Sequence, residues 1–368
     1  IDLAEVTEWT PIGAATSKLA SNALSITSGR PFTGYFDGQG HTIRNLKMVC
    51  KAAQATSAWG FFGAVANGAV VENLIFDASC SLEDKATAGT DCGVVAGLVY
   101  EATVRNVVNK ASIAFDGVAP DETRMTIGMV GLAFADKNGA RLEKLVNHGA
   151  LTATSGGNTK NGATGIHVGG IVGFSSNKSN TTAVVTIAEC ANYGDLDTQV
   201  ARASGIVAQT QGAYRISGCT FSGAIESTDA TKRDVVIGGI MAMADKECVG
   251  LVEGCTFSGR ISAAQAGANN FFGGIYGNNG GAASVVNDCR TTASAYVGCP
   301  IGKSVGMLAG RPNKKGFTVS NCRIAGTVTN KQGAAVVITA DNLEDWMFAG
   351  YGTSVAVTLK NNGYNDGK

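Results

Sequence analysis

Two patterns alternate along the chain. One is a short apolar run opened by glycine: "GFFG" at 60, "GVVAG" at 93, "GMVG" at 128, "GIVG" at 170, "GIVA" at 205, "GIMA" at 239, "GIYG" at 274 and "GMLAG" at 306. Successive starts are 33, 35, 42, 35, 34, 35 and 32 residues apart. A period this steady marks a solenoid, a propeller or an array. The second pattern follows each glycine by about 13 to 19 residues and alternates with period two, as a half-buried strand does. In "GCTFSGAIE" (218–226), Cys219, Phe221, Gly223 and Ile225 share one face, and Thr220, Ser222, Ala224 and Glu226 share the other. The first face is apolar or small in nearly every copy, so it points inward.

Reading down the copies gives columns. The Cys219 position is filled by Leu46, Leu74, Val107, Leu145, Cys190, Cys219, Cys255, Cys289 and Cys322. Cysteine stands there in place of leucine and valine, as a compact apolar core residue. The Ile225 position reads Cys80, Ile113, Leu151, Leu196, Ile225, Ile261, Ala295 and Val328. The Gly223 position is glycine or alanine except at Cys50, so seven of the ten cysteines point inward and Cys92, Cys248 and Cys299 have no assigned role. The residue before the first inward position is Asn45, Asn73, Asn106, Lys144, Glu189, Gly218, Gly254, Asp288 or Asn321. Asn, Gly and Asp tolerate a left-handed backbone, so this column predicts a single-residue corner between two strands. Lys144 and Glu189 break the rule, and their corners are expected to differ.

Each copy supplies about three short strands and is too small to bury its own apolar face, so neighbours must stack. The prediction is an all-β parallel β-helix of about nine coils. A propeller blade of similar length would want hairpin turns, and those signals are poor here. Residues 1–330 carry the repeats; 331–368 form the last coil and a C-terminal cap within the same domain. In that cap "DNLEDWMFAG" predicts a short helix, started by Asp341 or Asn342, with Leu343, Trp346 and Met347 on one face. The alternating "VAVTL" (355–359) predicts a strand over the open end.

At "WTPIG" (9–13) and "FTGYFDGQGHTIRNL" (32–46) the chain resembles bacterial surface proteins with GLUG motifs. The likeness rests on Phe32, Gly34, Phe36, Asp37, Gly38, Gly40, His41, Thr42, Ile43, Asn45 and Leu46. The glycine-led runs look like the GLUG motif itself, and the resemblance thins after about residue 330. It implies a right-handed parallel β-helix and an extracellular or bacterial cell-surface address. It carries over no catalytic residue. The residues alone predict a tight turn at Asp37-Gly38 and Gly40, with Phe36, Ile43 and Leu46 inward and His41 in a structural hydrogen-bonding role.

Composition narrows the function classes. Lys and Arg total 29 and Asp and Glu total 29, so no electrostatic footprint for nucleic acid is expected. Glycine is frequent at 50 without a three-residue period, and 45% of residues are hydrophobic, which excludes collagen and disorder. No apolar run is long enough to span a bilayer. The opening "IDLAEV" reads as a processed or trimmed product. The even number of cysteines invites disulfides, but parallel neighbours on stacked rungs pack rather than cross-link.

Signals for chemistry are sparse. The histidines are His41, His148 and His167, and neither H-E-x-x-H nor C-x-x-C occurs. No catalytic, cofactor-binding or metal-binding residue is assigned, and no cofactor is expected. Glycoside hydrolysis needs two carboxylates at matched outward positions of neighbouring coils; Asp197 precedes Glu226 there, and Ser262 follows. "NHG" at 147 resembles a glycosidase G-H-G without its aspartate partners, and makes His148 outward. The segments 81–91, 115–126, 154–167 and 227–237 read as loops stacked on one side, a usual place for binding. Phe115, Phe271, Phe272 and Tyr296 are candidate platforms for sugar rings. The reading is a non-catalytic secreted or cell-surface β-helix presenting loops for adhesion, with an extracellular glycan or a host or matrix protein as partner. A polysaccharide lyase or hydrolase and a structural stalk are the alternatives.

Overall fold

The computed structural model describes residues 1–368 except 21–22, 52–56, 120–123, 156–164, 180, 229–233, 246–247, 264–269, 280–282, 300–303, 313–315, 330–332, 349–356 and 368. The chain is an all-β parallel β-solenoid of about seven turns. At about 4.8 Å per turn the body is about 34 Å long. Nine copies in sequence make fewer full turns because the ends are incomplete. The first copy replaces its glycine-run strand with an antiparallel hairpin, Ala15–Ala20 with Ala23–Gly29, and the last runs into the helix Leu343–Met347.

Among the described residues, three sheets run along the axis. Strands flanking the glycine runs form the first, strands on both sides of the left-handed residue form the second, and the strands after them form the third. The alternating nine-residue stretch is therefore two strands, not one. Thr220–Phe221 belongs to the second sheet and Ala224–Ser227 to the third, with Gly223 at the turn between. The inward face is as expected: Cys219, Phe221 and Ile225 are fully buried.

The left-handed column runs from the second copy to the ninth. Asn73, Asn106, Asp288 and Asn321 have φ between 49° and 58°, and Gly218 and Gly254 have 62° and 60°. Asn45 is also left-handed, at 59°, but it follows Ile43, the partner of Phe76, and so sits at the turn from the second sheet to the third. Lys144 at 53° and Glu189 at 52° adopt the same conformation, so their corners do not differ. The strands Thr103–Asn109 and Ala140–Asn147 run straight through the kink within one sheet. The neighbouring turns force the conformation, against a penalty of about 1–2 kcal/mol for a residue with a Cβ. Replacing Glu189 with glycine should remove most of that strain, and loses only an exposed 3.8 Å pair with Lys144. The urea midpoint should rise by the equivalent of about 0.5–1 kcal/mol; an unchanged or lower midpoint would refute strain at this position.

The cysteine column is a buried row. Cys190, Cys219, Cys255, Cys289 and Cys322 are at most 1% exposed, and all ten cysteines are buried and free. Each of the five thiols points at the carbonyl two residues back, at 3.3–3.5 Å. A thiol there packs like leucine and also meets the carbonyl oxygen beside the kink. Burial pushes the Cys255 thiol well up, so it stays protonated and inert. Cys248 is buried at the turn from Asp245, where its sulfur accepts the Gly212 N–H at 3.1 Å. Cys299 is buried, and Cys92 points inward from the first sheet.

Three columns need correction. Cys50 pairs with Asp84 and so stands at the Ser227 position, not the Gly223 one, though it is buried as expected. Leu82 and Val297, not Cys80 and Ala295, pair with Ile113 and Ile261. Two extra residues in those turns form tight bends, with Cys80 N–H to Asp77 O and Ala295 N–H to Thr292 O, both 3.0 Å. In the first copy His41, not Leu46, pairs with Leu74, because Gln39 and Gly40 bulge at positive φ. His41 lies exposed at this end. The tight turn is present, with the Gln39 N–H bonded to Asp37 Oδ1 at 2.8 Å.

The recurring glycines have a packing cause. A Cβ on Gly205 would lie 2.2 Å from the Phe221 ring and 2.4 Å from the Gly239 carbonyl. Gly239 is confined in the same way by Phe257 and the Gly274 carbonyl. The core is thin, and inward rings of the second sheet touch the backbone of the first. The glycine runs are accordingly bends between strand segments, such as Ile166–Gly169 and Val172–Asn177.

At the C-terminal end the helix Leu343–Met347 buries Leu343 and Met347 and packs Trp346 against the core. The Trp346 and Met347 carbonyls accept hydrogen bonds from the Met307 and Leu308 N–H groups, which covers part of the edge. Asn342 is the N-cap residue but makes no capping bond; its side chain turns back to Thr339 N–H and Val337 O. The strand Thr358–Lys360 extends the second sheet, while 355–356 lie outside the described residues.

Acidic groups hold the other end. The Arg105 guanidinium and the Tyr35 hydroxyl keep the Glu72 carboxyl below its usual range, and the Asn73 amide and Gln39 N–H do the same for Asp37. A lowered folded pKa means stability that is present above the unfolded value and lost as pH falls through the folded one. Hydrogen exchange at Tyr35–Ile43 should therefore accelerate as pH drops below 4.5, after correction for intrinsic rates. Glu72→Gln should flatten that dependence; an unchanged profile would refute the assignment.

Candidate functional site

The first sheet is buried on both faces. In Met125–Ala135 every residue is buried. Its outer face carries Leu98, Leu132, Phe134 and Phe174, packed with Leu24 of the N-terminal hairpin. Beside them runs a row of register partners, one per turn: Asp91, Thr126, His167 and Arg202. All are at most 5% exposed. The Thr126 hydroxyl donates to Asp91 at 2.9 Å, and Arg124 pairs with the same carboxylate at 3.3 Å. The His167 ring meets Phe174 edge-on at 5.2 Å, and Arg202 donates to the Ala201 and Asp234 carbonyls. The row continues to Val236 and Phe271. Among its described members it holds one carboxylate, already paired with arginine, so it offers no acid pair for glycosidic cleavage.

The proposed aromatic platforms are mostly core. Phe115, Phe271 and Phe272 are buried, and Tyr296 is half-buried beneath the Arg260 guanidinium at 4.1 Å. Of the expected loops, 81–91 contains the strand Ser81–Asp84. Residues 120–123, 156–164 and 229–233 of the other three lie outside the described residues.

The exposed chemistry lies at the turn from the second sheet to the third. There the chain places Lys110, His148, Tyr193 and Ser222 outward on successive turns, each bonded through its N–H to the turn before. The turn is held from inside by an amide ladder. Asn109 donates to Asn147 at 2.8 Å, Asn147 to Asn192 at 2.9 Å, and each asparagine accepts the N–H two residues on. On this frame the His148 and Tyr193 rings stack at 5.0 Å and 17°. Tyr193 is 47% exposed. On the next turn the equivalent outward position is Ser222, a short side chain. Two turns of the third sheet bring Asp197 and Glu226 into register just beyond, both exposed.

A pocket of about 470 Å³ lies at the C-terminal cap, lined by Asp341, Glu344, Asp345 and Tyr364 among others. Its acids come from the helix and its approach, not from adjacent coils.

Sequence reading placed His148, Asp197 and Glu226 outward and missed Tyr193. The signal was available, because Tyr193 follows the inward Asn192 as His148 follows Asn147. No helix among the described residues is long and apolar enough to cross a membrane. No protein-family model matches the chain, and no solved structure matches it. Halomucin of Haloquadratum walsbyi is 35% identical over 82 residues, which are 22% of this chain and 1% of that protein.

Proposed function

We propose that the chain is a binding solenoid of a secreted or cell-surface protein of the GLUG-motif type, and that its ligand is a glycan held at the Tyr193–His148 platform. The stacked, exposed pair carries this reading. A free aromatic face offers the apolar side of a sugar ring a surface for stacking, and Ser222, Asp197 and Glu226 supply hydrogen-bonding partners around it. The rigid ladder beneath means little ordering is needed on binding.

The test is a glycan array followed by calorimetry on the best binder. Tyr193→Ala should lower affinity at least about tenfold, with the unfolding midpoint nearly unchanged because the ring is exposed. Equal binding by the variant would refute the platform. Binding to no glycan would favour a protein ligand or a stalk.

A second reading rests on the Asp197–Glu226 pair, whose register spacing of about 4.8 Å approaches that of a retaining glycosidase. Both side chains are exposed among the described residues, so water is not excluded from the pair there. New reducing ends released from a polysaccharide, and lost in Glu226→Gln, would establish this reading over the first.

A further inference from the structure

We propose that Cys50, Asp84 and Cys92 form a buried site for a thiophilic divalent cation, with zinc as the natural candidate. One sulfur from each cysteine and a carboxylate oxygen of Asp84 all lie within 4.8 Å of one another. Ligand atoms around a tetrahedral zinc ion are about 3.4–3.8 Å apart, given metal bonds of about 2.0–2.3 Å, so small side-chain movements would complete the site. Two thiols and a carboxylate favour zinc over calcium or magnesium, which take oxygen ligands. Three protein ligands leave the fourth position for water.

The three residues converge through the fold rather than through a sequence motif. Cys50 and Asp84 are register partners at the ends of adjacent third-sheet strands. Cys92 faces them from the first sheet, in register with Trp59 and Ile127. Exposure is 0% for Cys50 and Cys92 and 1% for Asp84.

This corner is unlike its equivalents. The Asp84 position continues in later turns as Phe115, Ala153, Thr198, Ser227 and Ala263. The Cys92 position continues as Ile127, Val168 and Ala203. An ionisable acid and a second sulfur therefore replace ordinary core residues at one corner of one turn. A carboxylate buried in such a core, with no cationic side chain against it among the described residues, is costly even when hydrogen-bonded, and a bound cation offsets the cost. The carboxylate is also oriented: Ala86 N–H donates to Oδ1 at 3.0 Å and the Thr90 hydroxyl to Oδ2 at 2.7 Å. Outer hydrogen bonds of this kind fix metal ligands in place. Binding breaks two S–H bonds, forms two metal–sulfur bonds and releases two protons to solvent.

The experiment is to refold the full chain under reducing conditions with cobalt(II) or zinc(II), remove free metal, and measure metal content and the cobalt spectrum. The wild type should retain one equivalent and show a thiolate-to-cobalt charge-transfer band. Cys248→Ala, which alters a buried thiol elsewhere, should behave identically. Cys92→Ala should lose the band, and Asp84→Asn should bind at least about tenfold more weakly. Thr90→Val keeps every ligand and serves if the other variants fail to fold; it should weaken binding about 10- to 100-fold. Zinc should raise the melting midpoint of the wild type and not that of Asp84→Asn. No bound metal in the wild type, retention of the band in Cys92→Ala, or a Cys50–Cys92 disulfide in the folded chain would each overturn the proposal.

Discussion

Phe257→Ala should destabilise the solenoid by about 3–5 kcal/mol. The ring is fully buried and stacks on Phe221 at 6.0 Å and 21°. It also touches the backbone of the first sheet, where a Cβ on Gly239 or Gly274 would lie 2.5–2.6 Å from it. Truncation therefore empties the full width of the core at one turn, and the flanking strands are tied by hydrogen bonds to rungs on both sides. Those rungs cannot close inward to fill the space, which places the cost at the upper end for a phenylalanine. Because each turn contacts mainly its neighbours, the damage should be local. Hydrogen exchange should rise in Thr256–Phe257 and the adjoining rungs and stay unchanged in Thr90–Tyr100. A loss below about 1 kcal/mol would mean that the ring does not span the core.

Gly239→Ala should cost about 3 kcal/mol or more through the opposite fault. The added methyl would lie 2.1 Å from the Gly274 carbonyl oxygen and 2.5 Å from Phe257. The ring could shift, but the carbonyl belongs to the next rung and is held in the ladder by the Gly239 N–H to Gly273 O and Ile240 N–H to Ile275 O bonds. Overpacking in a well-filled core costs about 1–3 kcal/mol and more where backbone must move. The comparison is Gly68→Ala, a glycine with no atom near its Cβ position but a positive φ of 82°. That substitution tests backbone strain alone. If Gly239→Ala proved no worse than Gly68→Ala, close packing would not be the reason glycine recurs at the head of each run.

The second sheet was legible because one of its faces meets water. Period-two alternation and the left-handed residue are both local signals, and both recur from the second copy to the ninth. The first sheet was not legible in the same way. With both faces covered, Thr90–Tyr100 and Met125–Ala135 read as continuous apolar runs, and nothing local marks Asp91 or His167 as outward. The two-residue insertions before Leu82 and Val297 escaped notice because Cys80 and Ala295 are themselves small, buried residues, plausible occupants of an inward column. The candidate platform was half visible. His148 was placed outward by its column, but its contact with Tyr193 joins residues 45 positions apart.

The amino-acid order by itself determined the repeat, the inward column of thiols and the left-handed corners, since each depends only on a residue and its near neighbours along the strand. Tertiary structure decided which strands share a sheet, why glycine must head each run, and that Cys50, Asp84 and Cys92 meet. Those outcomes depend on the distance across a thin core and on register between turns, and a linear pattern carries neither quantity.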